Sequence, residues 1–210
     1  MKESLKKEFY KYLNRELPIT QFEEFVYAQK DFEQEVGKEN YLKLIGFNFT
    51  DKNASYQLDD LIFDDLISEG EFETWKLNRL LTQFIETEVD IDKKLDNFYS
   101  LYCRTYNRKG ELENGYKFLG HLGLNYFFWM SEGYLKPSYG SKWDEELKKA
   151  KDDFEFYHSQ LKPIAQKILK AIENKEIEII KFGEYSISGD MKANLESDQI
   201  FKLKHKKRIL

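Results

Sequence analysis

Histidine is the scarcest of the residues able to do chemistry here, with three in 210 positions. Glu155-x-x-His158 has the i, i+3 spacing of the carboxylate–histidine pairs that hold di-iron centres in helical bundles. Such a centre needs a second pair and two further glutamates. His121, in GHLG, has Phe118 three residues before it, and His205 sits in a basic tail. The ligand set is therefore incomplete, and no metal or cofactor is expected. A hydrogen-bonded structural role fits His121 better than catalysis. Cys103 precedes Arg104, which can lower a thiol pKa, but it closes the aromatic run FYSLYC and reads as a buried thiol. No Walker loop, G-x-G-x-x-G, G-x-S-x-G or HExxH pattern is present. The expectation is no catalytic residue and no enzyme.

Charge says more than nucleophiles do. The net charge is −5, and residues 51–100 hold 13 Asp and Glu against 5 Lys and Arg, a local balance of −8 that leaves +3 for the rest. Asp60 and Asp64 lie four apart on one helical arc with Asp59 and Asp65 beside them; Glu86, Glu88, Asp90 and Asp92 follow. Fields of one sign steer association with partners of the other, so these eight residues are the expected partner-binding surface. The competing reading is a solvated, solubilising helix face. Lys202, Lys204, His205, Lys206, Lys207 and Arg208 can touch phosphates, but no aromatic platform or recognition motif accompanies them. Nucleic acid is not the expected partner.

These residues need a scaffold, and composition supplies one. Hydrophobics at 41% and aromatics at 16% exceed what a disordered chain carries, and three prolines leave room for long helices. A single cysteine fits a reducing compartment, and MKESLKKEFYKYL has charges where a signal peptide needs its apolar core. A cytoplasmic protein without a membrane span is expected.

The most apolar run is YKFLGHLGLNYFFWMSEGY, 116–134. Phe118, Leu119, Leu122, Tyr126, Trp129 and Met130 share a stripe, while Leu124, Phe127 and Phe128 cover other sides, as in a central bundle helix. Gly120 and Gly123 predict a close approach by a neighbouring helix. Before it, helices are predicted over Ser4–Arg15 (Leu5, Phe9, Tyr12, Leu13), from a Thr20–Glu23 capping box, and over Glu39–Gly46 with Tyr41, Leu42 and Ile45 inward. Further helices follow from Asn53 to about Gly70, over Phe72–Glu86 with Trp75 as core anchor, and from an Asp90 cap through Tyr102. NRKGELENG, 107–115, and the stretch 136–141 read as breaks. Trp143–Tyr157 reads as one helix, and Pro163 as near the first turn of the next. After Asn174 the period turns strand-like at 177–182, 184–188 and 199–203. The fold class is mainly α: a multi-helix bundle around one core, 1–174, with a small β hairpin or sheet and basic tail, 175–210, packed on the same domain.

TQFEEFVY, ENYLKLIGFNF, EFETWKLNRLL, and FYSLYC with GYKFLGHLGLNY resemble segments of a family of bacterial α-helical proteins. That family looks like the cognate immunity proteins of polymorphic or contact-dependent toxin systems. The resemblance covers most of residues 20–130, and the Trp143–Ile172 helices fit the same layout. EFETWK and the GY-FL-LGL run are its most specific parts. The chain departs from the pattern in NRKGELEN before Gly115 and at Phe127-Phe128, where a small residue is expected. The resemblance implies no catalytic residues. It implies a protein that binds one toxin domain in the producing cell and blocks it. The alternatives are a cytoplasmic interaction or scaffold protein with no toxin partner, an enzyme assembled from scattered acids with His121 or His158, and tail-mediated nucleic-acid binding.

Overall fold

Between Met1 and Trp75 the spacing of aromatic residues decides the packing. The computed structural model describes residues 1–87, 89–103, 105–106 and 110–196. It divides into two compact units, Met1–Trp75 and Lys76–Leu210, each with its own cluster of buried side chains. The division falls a hundred residues before the boundary at 174 expected from the change of period, and two cores stand where the sequence suggests one.

The first unit contains α1 (Glu3–Leu13), α2 (Ile19–Ala28), α3 (Phe32–Val36), α4 (Lys38–Ile45), α5 (Ala54–Asp65) and the start of α6 (Glu69–Glu86). The predicted α1 stripe of Leu5, Phe9, Tyr12 and Leu13 is buried. Phe22 of α2 meets Phe9 edge-on at 5.2 Å and stacks on Tyr12 at 4.5 Å, so three rings lock the first two helices. Phe32, Leu44, Leu58 and Ile62 complete the centre. Trp75 is half-buried, against Tyr10 at 5.3 Å and Phe72 at 6.1 Å.

Two local expectations fail here for identifiable reasons. Thr20 caps nothing, because α2 starts a residue earlier at Ile19, where the Pro18 carbonyl accepts the Phe22 amide at 2.9 Å. The capping box lies instead at Ser68-x-x-Glu71. The Ser68 amide and hydroxyl donate to Glu71 Oε2 at 3.3 and 3.2 Å, and the Glu71 amide donates back to Ser68 Oγ at 3.1 Å. Leu42 is 53% exposed, and Leu44 takes the core position on α4. Asn40 sets that rotation: its Nδ2 donates to the carbonyls of Val36 at 3.2 Å and Asp65 at 3.3 Å. Leu44 lies one turn from Asn40 on the same face, while Leu42 points away.

The second unit holds the rest of α6, then α7 (Ile91–Tyr102), a short ladder of β1 (Thr105–Tyr106) with β2 (Leu112–Glu113), a 3-10 turn at Lys117–Leu119, and α8 (Gly120–Met130). It continues with α9 (Glu132–Tyr139), α10 (Trp143–Asp152), α11 (Phe154–Glu173), β3 (Ile177–Lys181), β4 (Glu184–Ile187) and α12 (Gly189–Leu195). The central apolar run is buried at Phe118, Leu119 and Leu122, and half-buried at Tyr126 and Trp129. The helix approach predicted from its glycines is present. A Cβ at Gly123 would lie 2.7 Å from Tyr99 Cα, so α7 and α8 pack backbone to backbone there.

The predicted break at 136–141 is largely helical, and Pro137 lies inside α9. Trp143 to Tyr157 is two helices parted at Asp153, which leaves Pro163 in the interior of α11 and not at its start. An interior proline costs about 3 kcal/mol. Burial of Leu161, Ile168 and Ile172, at roughly 1.5–3 kcal/mol each, outweighs it. Asp90 does precede α7, but in the left-handed region (φ 53°) and without a side-chain cap bond. The C-terminal hairpin is as expected: β3 and β4 pair antiparallel from Ile177↔Ile187, with Ile177 and Ile179 inward. At its turn Gly183 has φ 75°, and a Cβ there would meet the Asn114 carbonyl at 2.4 Å. The predicted strand 199–203 and the basic tail lie outside the described residues.

Candidate partner-binding surface

α5 reads ASYQLDDLIFDD. Ala54, Leu58 and Ile62, four apart, are its buried line; Asp60 and Asp64 lie on the opposite arc, and Asp65 follows the line one turn past Ile62 at the helix end. Asp59 is a tie and not a loose charge. Arg15 Nη1 donates to Asp59 Oδ1 at 3.1 Å, with a second contact between Nη2 and Oδ2. Arg15 adopts φ 61°, a conformation a non-glycine residue takes at a cost of about 1 kcal/mol or more. The bidentate pair and the contact of its guanidinium with the Tyr12 ring, 5.7 Å to the centroid, fix it there. The pair raises the Arg15 pKa above its ordinary value. Burial, reinforced by the Asp59 charge, pushes the Tyr12 hydroxyl up to about 12.

Asp65 is a tie as well. Lys43 Nζ bridges Asp65 Oδ2 at 2.9 Å and Glu39 Oε1 at 3.0 Å, joining α4 to the end of α5. Exposed pairs of this kind contribute about 0–1 kcal/mol each, so they orient more than they stabilise. Asp64 is exposed and Asp60 half-buried, which amends the expectation that both face solvent.

The remaining predicted residues belong to the second unit. Glu86 is exposed at the end of α6; Asp90 is exposed, 3.6 Å from Lys93; Asp92 is half-buried in the first turn of α7. Glu88 lies outside the described residues. Four of the eight therefore belong to α5, spread around it, and three lie about the α6–α7 junction.

Two features of the first unit had no signal in the acidic pattern. A cleft of about 470 Å³ lies where α1 begins and α2 ends, floored by Leu5, Phe25 and Phe32. Lys2 crosses its rim, giving both its amide and its ammonium to Glu35 at 2.8 Å and holding that carboxyl below its ordinary value. The second feature is apolar. Tyr27 and Leu42 are 56% and 53% exposed, and Tyr27 Oη donates to the Ile45 carbonyl at 3.3 Å, one helical turn from Leu42.

The residues singled out for chemistry separate. Glu155 is exposed, whereas His158 is buried with Nε2 2.6 Å from the Phe84 carbonyl and its ring edge-on to Phe84 at 4.8 Å. That bond assigns the ring proton to Nε2. His121 is half-buried on α8, and burial, with a contribution from Lys167, lowers its pKa. Cys103 is half-buried and not enclosed. Among the described residues no group of three or more His, Cys, Asp or Glu side chains is placed to hold a metal ion, and no helix is long and apolar enough to cross a membrane.

No family model, curated protein or solved structure matches the chain.

Proposed function

We propose that the chain is a non-enzymatic immunity-type protein, and that its first unit binds and neutralises a basic toxin domain in the cytoplasm of the producing cell. The observation that carries this reading is the charge of that unit. Met1–Trp75 holds 17 Asp and Glu against 9 Lys and Arg, a balance of −8, leaving +3 for the rest of a chain whose total is −5. An acidic unit of this size accelerates encounter with a basic partner and rejects acidic competitors. The aspartates of α5 support it further: Asp59 and Asp65 hold the helix in place through Arg15 and Lys43, and Asp60 and Asp64 stand between them.

The test is genetic and biochemical. The variable C-terminal domain of a secreted protein encoded beside this chain is expressed with and without it, and the two purified proteins are titrated together. Protection of the cells and a tight one-to-one complex are expected. Reversing Asp60 and Asp64 to Lys should slow association and flatten its salt dependence. A neighbouring domain that is basic and toxic yet neither bound nor blocked overturns the reading.

A further inference from the structure

We draw no further inference here: the strongest candidate, the cleft where α1 begins and α2 ends, has a rim that carries Lys2 and Lys30 as well as Asp31 and Glu35, so its charges select no class of ligand and nothing in the structure shows what fills it.

Discussion

The two units solve packing in different ways. The first is held by large rings meeting at 4.5–5.2 Å around Phe22, and its polar surface is threaded with ion pairs at Lys2, Lys6, Arg15 and Lys43. The second brings α7 and α8 into backbone contact through Gly123, and buries His158 against a carbonyl. The second unit stacks rings too, Tyr99 on Phe127 at 5.0 Å and Trp129 on Tyr157 at 4.7 Å; what it adds is the glycine contact, which removes the space that a ring would fill. An ion-paired, acidic exterior over an aromatic core can change its surface charges without disturbing the interior. A backbone-to-backbone contact leaves no such freedom. The difference teaches where variation of surface charge is cheap, and it points to the first unit.

Phe22→Ala should break the first side of the comparison most severely. A fully buried ring that touches Phe9, Tyr12 and Phe25 should cost about 3–5 kcal/mol. Urea unfolding followed at Trp75, in a variant lacking Trp129 and Trp143, measures it. An equal shift at Trp129, followed in a companion variant that keeps it and lacks Trp75 and Trp143, would show that the units unfold as one.

Gly123→Ala tests the second side. The new Cβ meets Tyr99 backbone, so overpacking should cost about 1–3 kcal/mol. Helix propensity returns about 1 kcal/mol of that. Net stabilisation would mean that α7 and α8 can separate freely.

Ser68→Ala removes one half of the capping box and should destabilise the first unit by about 1 kcal/mol, with no effect on the hairpin after Asn174. Thr20→Ala should be neutral by comparison, because Thr20 lies inside α2. A larger loss at Thr20 than at Ser68 would reverse the assignment of the caps.

The smallest effect is in pH. His121 has a folded pKa below its ordinary 6.5, so the unfolded chain takes up its proton first. Its contribution is complete above about pH 6.5 and is lost as the pH falls below that. Glu71, held below its ordinary 4.5 by Lys6 and by the Ser68 amide, keeps its contribution until the pH drops under that value. Urea midpoints should therefore decline first through the histidine window and then through the carboxylate window. His121→Gln should flatten the first decline, and Glu71→Gln the second. A first decline that persists in His121→Gln assigns it to another group.

Periodicity determined the elements with a clear buried stripe. Leu5, Phe9, Tyr12 and Leu13 on α1, the apolar run of α8, and the alternation after Asn174 all appear where their 3.6- or 2-residue spacing places them. Two glycines within that apolar run announced a close helix neighbour, since nothing else explains their cost. What tertiary structure decided was rotation, and which of two local signals wins. The pattern of α4 points Leu42 inward; Asn40 selects Leu44 instead by bonding carbonyls far apart in sequence, Val36 and Asp65. The same holds for the aspartates of α5. Four like residues in seven positions look alike in a sequence, and only the placement of Arg15 and Lys43 shows that Asp59 is tied to the end of α1 and Asp65 to α4. Long-range partners carry no periodic signal, because the pairing is set by where other helices end.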